Sequence, residues 1–394
     1  MAQEEAARPG GRAWRRSAVQ AKVAIMMPRM SRYGGAEGFG LRLAETLAAE
    51  GHGVDFVCAR QEVEAPAGVR PVAVGRLGLG RALKSLWFAY AAERVRQKNA
   101  YDVSVSLGKT LNQDILRVGG APLLAFWRRS IGAWPAGPVR WFKMLRRRLS
   151  PANWVGLALE RAQFGGTGAI VAVSHLAREC ILEAHPEVDP RRIRVVYNRP
   201  DPARFAPPDA DLRVGLRAAS GVGEGDVLLL FAGTNFALKG LAPLVRALAR
   251  LPANFRLHVA GGRNTGRYER LASRLGLAGR VRFLGRVTDM ASFYAAGDVF
   301  ALPTFFDACS NAVLEALACG LRVVSSRANG SSYFLPERFV VADPGDVAAL
   351  AEALRAAAAE PWPGPFVWPG DVETGLDPYL ALVREALEKK RKAE

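Results

Sequence analysis

Short apolar runs recurring between helical patterns constrain this chain most, because that alternation calls for parallel sheets covered by helices. Residues 22–27, Lys-Val-Ala-Ile-Met-Met, read as a first buried strand. The pair Gly34–Gly35 follows, then an amphipathic helical pattern to about residue 50. Runs at 54–57, 103–107, 170–173 and 195–197 suit further strands of the same unit. A second round opens at 227–232 and continues at 256–260, 281–284, 299–302, 321–325 and 339–341. The proline-rich crossing from Pro200 to Pro208 places a domain boundary near residue 200. At 394 residues the chain exceeds the size at which one core stops growing, so two α/β domains are expected.

The densest chemistry lies in residues 303–320, where a buried strand runs through a proline turn into a helix-forming stretch that stops at Gly320. The first N–H groups of such a helix, around Ser310, Asn311 and Ala312, are expected to be free, and with the helix dipole they suit a diphosphate. Asp307 and Glu315 stand eight positions apart across that helix start. Asp307 belongs to the loop beside the phosphates. Glu315, roughly one and a half turns on, is expected on an exposed helix face. One carboxylate suits a hexose hydroxyl and the other a ribose. Spacing alone also fits a helix-capping Asp307 and a solvated Glu315.

Residues 314–324, Leu-Glu-Ala-Leu-Ala-Cys-Gly-Leu-Arg-Val-Val, resemble the retaining GT-B glycosyltransferases of glycosyltransferase family 4, whose motif is an acid, seven residues and a Glu. Here the first acid is Asp307 instead of the usual Glu. Gly34-Gly35-Ala36-Glu37 is similar to the family's Gly-Gly-Ala-Glu fingerprint, and Asn329-Gly330 falls where its second phosphate loop lies. The resemblance implies a GT-B fold: two Rossmann-like domains whose parallel sheets face each other across a cleft. Residues 21–200 would hold the acceptor and 201–375 the nucleotide sugar, with 376–394 as a helix crossing back to the first domain. Lys239 would meet the departing diphosphate, and Gly261 and Val287 would wall the nucleobase pocket. Leu238 stands where the family places a second cation. Asp114, in an expected acceptor-side loop over residues 112–120, is the candidate base, while Gly119–Gly120 occupies positions where an acid is otherwise sought. A retaining reaction tolerates a weak base, since the leaving phosphate itself takes the acceptor proton. The resemblance further implies a UDP-sugar donor and no cofactor or bound metal.

The formal charge of +17 calls for an anionic partner surface. Residues 121–150 hold no acid, and Arg128, Arg129, Lys143, Arg146, Arg147 and Arg148 alternate there with Trp127, Trp141 and other rings. That mixture suits an anionic membrane interface, although a basic helix packed on the core would read the same way. No zinc-finger or RNP-like motif accompanies the charge, so nucleic acid is not expected. No run approaches the roughly 18 apolar residues of a membrane span. Residues 1–20 read as a mobile basic tail without the apolar stretch of a secretory signal. Together these point to a protein peripheral on the cytoplasmic face of the inner membrane. The four cysteines lack paired spacing and read as reduced, buried thiols. Asp209-Ala210-Asp211 has the shape of a metal motif but follows Pro207–Pro208 at the start of a helical pattern, where aspartates are favoured without a metal.

The order of Gly108-Lys109-Thr110, Arg117-Val118-Gly119-Gly120 and the Trp/Arg-rich stretch is similar to bacterial enzymes that glucosylate heptose in the lipopolysaccharide inner core. A lipid-linked glycan acceptor is therefore expected. Two other readings remain at this level: a UDP-sugar epimerase, which would want further acids and a histidine around the sugar, and a non-catalytic homologue that binds nucleotide or membrane only.

Overall fold

A computed structural model describes residues 20–32, 34–262, 264–361 and 364–393. The expected basic tail, apart from Gln20, lies outside the described residues. The first half contains β1 (Lys22–Met26), β2 (Arg29–Met30), β3 (Gly53–Cys58), β4 (Arg60–Gln61), β5 (Val69–Ala73), β6 (Val103–Ser106), β7 (Gln113–Val118), β8 (Thr167–Ala172) and β9 (Ile193–Val195). β2 and β4 pair with each other, and the others form one sheet in the order β5-β3-β1-β6-β7-β8-β9. Its described ladders are all parallel. The second half carries β10 (Val227–Ala232), β11 (Phe255–Ala260), β12 (Val281–Gly285), β13 (Val299–Leu302), β14 (Arg322–Ser326) and β15 (Val340–Val341), in the order β12-β11-β10-β13-β14-β15. Both are open parallel sheets, which bind ligands beyond the carboxyl ends of their strands.

β7 corrects one expectation, because residues 113–118 form a central strand and not a loop. Ile115 and Leu116 are buried, and the strand is paired on both sides, so its backbone donors and acceptors are used in ladders.

Each sheet has its own apolar core. The Asp377–Ala393 helix, although last in the chain, packs Tyr379, Leu380, Leu382 and Val383 into the core of the first. A third cluster joins the two halves: Leu238, Phe306 and Ala308 of the second pack with Phe164, Ile170 and Ile181 of the first. Each large apolar side chain so buried contributes about 1.5–3 kcal/mol. Leu238 is thus buried packing at the junction, where a guanidinium or ammonium would lose its water without a partner. Asp209 caps the Ala210–Ala219 helix by accepting from Leu212 N at 2.7 Å, which accounts for the aspartate pair as a helix start.

Candidate active site

β13 leads into the segment that carries Asp307, and the Asn311–Ala318 helix begins directly after Ser310. Gly320, at φ 79°, ends it in a left-handed turn that glycine adopts without strain. The helix start is held by Asn329, whose Oδ1 accepts from Ser310 N at 3.3 Å and Ser331 N at 3.1 Å while its Nδ2 donates to Ser325 Oγ at 3.0 Å. The expectation of three free donors is therefore corrected: Ser310 N–H is already engaged. Asn311 and Ala312 present N–H groups that meet no acceptor among the described residues.

The two acids sit in different surroundings. Asp307 accepts an ion-paired hydrogen bond from Lys239 Nζ, so the two charges offset each other. Glu315 is not on an exposed face. It is largely buried and accepts from Tyr294 Oη at 3.0 Å. Burial pushes its carboxyl above the usual range, with the Tyr294 hydroxyl and the charges of Arg204 and Arg42 opposing the shift. Tyr294 itself is fully buried, so the pair forms a fixed unit beneath the helix.

Beyond the ends of β10 and β11 lies a cavity of about 970 Å³ lined by Gly233, Asn235, Gly261, Arg286 and Val287 among others. Gly261 has φ 90°, and a Cβ there would fall 2.4 Å from the Gly233 carbonyl oxygen, so the wall admits only glycine. Gly34, at φ 112°, precedes the Gly35–Ala49 helix of the first domain. A Cβ on Gly35 would lie 2.3 Å from Asn311 Nδ2. The glycine pair and the Asn311 helix thus face each other across the cleft.

In the first domain Asp114 is displaced from the cleft. It stands near the beginning of β7, level with Ser104, and its Oδ2 accepts from both Ser104 N and Ser104 Oγ at 2.7 Å. Lys390 of the last helix lies 3.5 Å from its other oxygen. Ligands meet the opposite end of a parallel strand, so Asp114 is a structural anchor for the helix that crosses back. At the cleft end of β7 is Arg117, whose Nη2 donates to Asn198 Oδ1 at 2.8 Å, and Asn198 Nδ2 donates in turn to Asn311 Oδ1 at 2.7 Å. Ser174 Oγ donates to the Ala308 carbonyl and accepts from Ala177 N. Asn198, Ser174 and Tyr294 carry no local motif that names them; only the folded chain brings them to the site.

The basic segment divides into the Leu123–Ser130, Pro138–Leu149 and Pro151–Gly165 helices. Trp127 is buried, which removes it from the membrane-facing set. Arg147 is also turned inward, donating to Trp127 O and Ser130 Oγ at 3.1 Å each and tying the second helix over the first. Arg128 and Arg129 share Glu183, and Lys143 Nζ lies 3.9 Å from the centre of the Trp134 ring. Trp141 and Phe142 remain 66% and 63% exposed, beside exposed Arg146 and Arg148.

Residues 33–204 match Glycosyltransferase Family 4 and residues 226–360 match the group 1 glycosyl transferases. The lipopolysaccharide glucosyltransferase WaaG of Escherichia coli is 25% identical over 346 residues, covering 85% of this chain and 89% of its own. The lipopolysaccharide core biosynthesis glycosyltransferase LpsE of Rhizobium meliloti is 31% identical over 172 residues, 43% of this chain and 48% of its own. The crystal structure of WaaG superposes with a TM-score of 0.70 at 22% identity, over 93% of this chain and 94% of that one. Anabaena HepE in complex with UDP-glucose gives 0.63 at 16% identity, over 95% of this chain and 100% of that one. With both halves of the cleft accounted for in this way, the chain belongs to the family 4 glycosyltransferases and has their GT-B fold.

Proposed function

We propose that this glycosyltransferase moves glucose from UDP-glucose to a heptose of a lipid-linked lipopolysaccharide core, with retention at the anomeric carbon. The observation that carries this reading is the arrangement around the Asn311 helix: two N–H donors at its start, Lys239 beside it, and Asp307 and Glu315 on either side. The donors and Lys239 would stabilise the negative charge that grows on the leaving diphosphate. The partly buried Glu315, oriented by Tyr294, would take the ribose hydroxyls, and Asp307 a hydroxyl of the hexose once Lys239 turns to the phosphates. The residues of the cavity wall, with Gly261 and Val287, suit a flat base. Positive charge from lysine and the helix serves the role a metal would otherwise fill. Asp114 has no part in this reaction, and the leaving phosphate would accept the acceptor's proton.

The sugar and acceptor rest on the relatives named for lipopolysaccharide glucosyl transfer and core biosynthesis. The exposed Trp141, Phe142, Arg146 and Arg148 support docking on an anionic leaflet, which would concentrate the enzyme on a membrane-bound acceptor. No described helix is long and apolar enough to cross a membrane. Labelled UDP-glucose incubated with a lipopolysaccharide truncated at heptose is the direct test. Label in the lipid, α-linked to heptose, is the expected result. Release of an altered sugar without acceptor would indicate an epimerase, and no conversion of any nucleotide sugar a non-catalytic homologue.

A further inference from the structure

Arg117 is a cation that the cleft buries without giving it a counter-charge. It is only 3% exposed, yet no described carboxylate lies within the 4.0 Å of an ion pair. Its guanidinium carbon lies 4.3 Å from the centre of the Phe39 ring, its Nη2 donates to the neutral amide of Asn198, and its Nε is buried without a hydrogen-bond partner. Nor is there slack around it, since a Cβ on Gly119 would lie 2.6 Å from Nη1. Burying a charged group without a partner is costly, and buried charges are therefore paired or serve a ligand. Two amides lead from Arg117 to the helix start, Asn198 and then Asn311, and Asn311 faces Gly35 of the glycine loop. Lys239, the cation beside the helix start, is already matched by Asp307.

We propose that Arg117 is a phosphate-binding residue of the acceptor domain, its guanidinium completing the site for the donor's diphosphate when the ligand displaces the amide pair Asn198–Asn311. This rests on the donor site described above and adds the residue that makes its charge depend on both domains. An arginine suits the task because its planar fork matches phosphoryl oxygens with two donors. The Phe39 face and the Asn198 carbonyl oxygen offset only part of its charge.

The test is calorimetric titration of UDP and uridine into the full chain. Arg117→Gln is expected to weaken UDP by about tenfold to a hundredfold, the loss of one charged hydrogen-bond set, and to leave uridine unchanged. Arg117→Lys should recover part of the loss. Should Arg117→Gln fail to fold, Asn198→Asp provides the second route: a carboxylate 2.8 Å from the guanidinium would satisfy it internally and weaken UDP while sparing uridine. Unchanged UDP affinity in both variants overturns the assignment. So does a variant that keeps UDP but loses a phosphorylated glycan acceptor, which would give the arginine to the other substrate. If the unaltered protein binds neither UDP nor uridine, the donor site itself is misread and the assignment falls with it. If it binds both and the variants bind both with unchanged affinity, only Arg117 falls.

Discussion

The two sides of the cleft are built in contrasting ways. In the second domain, the donor side of the proposed function, Asp307, Ser310, Asn311 and Glu315 come from one strand–turn–helix unit, and the glycines that shape the cavity stand directly after strand ends. In the first domain, the acceptor side of the proposed function, the same cleft is met by Arg117 from the end of β7, Asn198 from beyond β9 and the glycine pair from the first strand–helix turn. The donor side is local in sequence, and its geometry follows from helix periodicity and backbone sterics. The acceptor side is assembled by sheet order. One can therefore be altered by a single change in a short segment, while the other responds to changes in residues far apart along the chain.

The largest expected effect tests the donor side. Lys239→Ala should lower kcat about 10²- to 10³-fold, the usual loss for one electrostatic contact to a leaving group, with KM for the acceptor little changed; steady-state rates with saturating donor decide it. A loss confined to acceptor KM would break the contrast.

Next comes a difference in pH response. Burial, aided by Arg282 and Arg256, pushes His258 of β11 down to about 4. A group whose folded pKa lies below its unfolded value of about 6.5 binds more protons when unfolded, so its contribution is complete above pH 6.5 and disappears as pH falls towards 4. It amounts to at most about 3 kcal/mol. His185 on the acceptor side goes the other way: burial opposes its charge, but Glu160 and Glu187 at 3.1 Å outweigh it and raise the pKa. Its contribution is present below pH 6.5 and is lost as pH rises through the folded value. As pH falls from 8 to 4 in thermal melts, His258→Asn should gain stability relative to the parent and His185→Gln should lose it; changes of the same sign would refute the assignment of environments.

A smaller effect concerns the exposed helix. Replacing Arg146 and Arg148 by glutamine should weaken binding to anionic vesicles by about 2 kcal/mol at low salt, at about 1 kcal/mol per basic residue, and the difference should shrink as salt is added. The pair Arg128 and Arg129, already matched by Glu183, serves as the control with little change. The smallest effect is expected at Asp114. Asp114→Asn should leave the transfer rate within about twofold and lower the melting temperature slightly, because a surface-type ion pair to Lys390 is worth less than about 1 kcal/mol. A large loss of rate would return a base to the acceptor side.

Most of the sheet architecture can be read directly from the chain, because parallel strands buried on both faces appear as continuous apolar runs: residues 299–302 coincide with β13, and 227–232 with β10. β7 is hidden because Gln113, Asp114 and Arg117 interrupt its apolar residues, and the polar groups of Gln113 and Asp114 are satisfied by partners on other elements. Likewise the spacing of Asp307 and Glu315 gives the donor segment, but not that Glu315 turns inward to Tyr294, since 3.6-residue periodicity does not show what another helix places beneath it. The Trp/Arg segment has the same limit. Composition identifies a basic aromatic surface, while packing decides that Trp127 is inside and Trp141 outside.

Ser174 joins the halves in a manner that bears on how they part. Its hydroxyl has one proton, given to the Ala308 carbonyl of the opposite domain, and lone pairs, one of which holds the first turn of its own helix through Ala177. Separation breaks the outward bond alone. The helix keeps its cap whether or not the outward bond is made, so the hold on the opposite domain costs this turn of helix nothing.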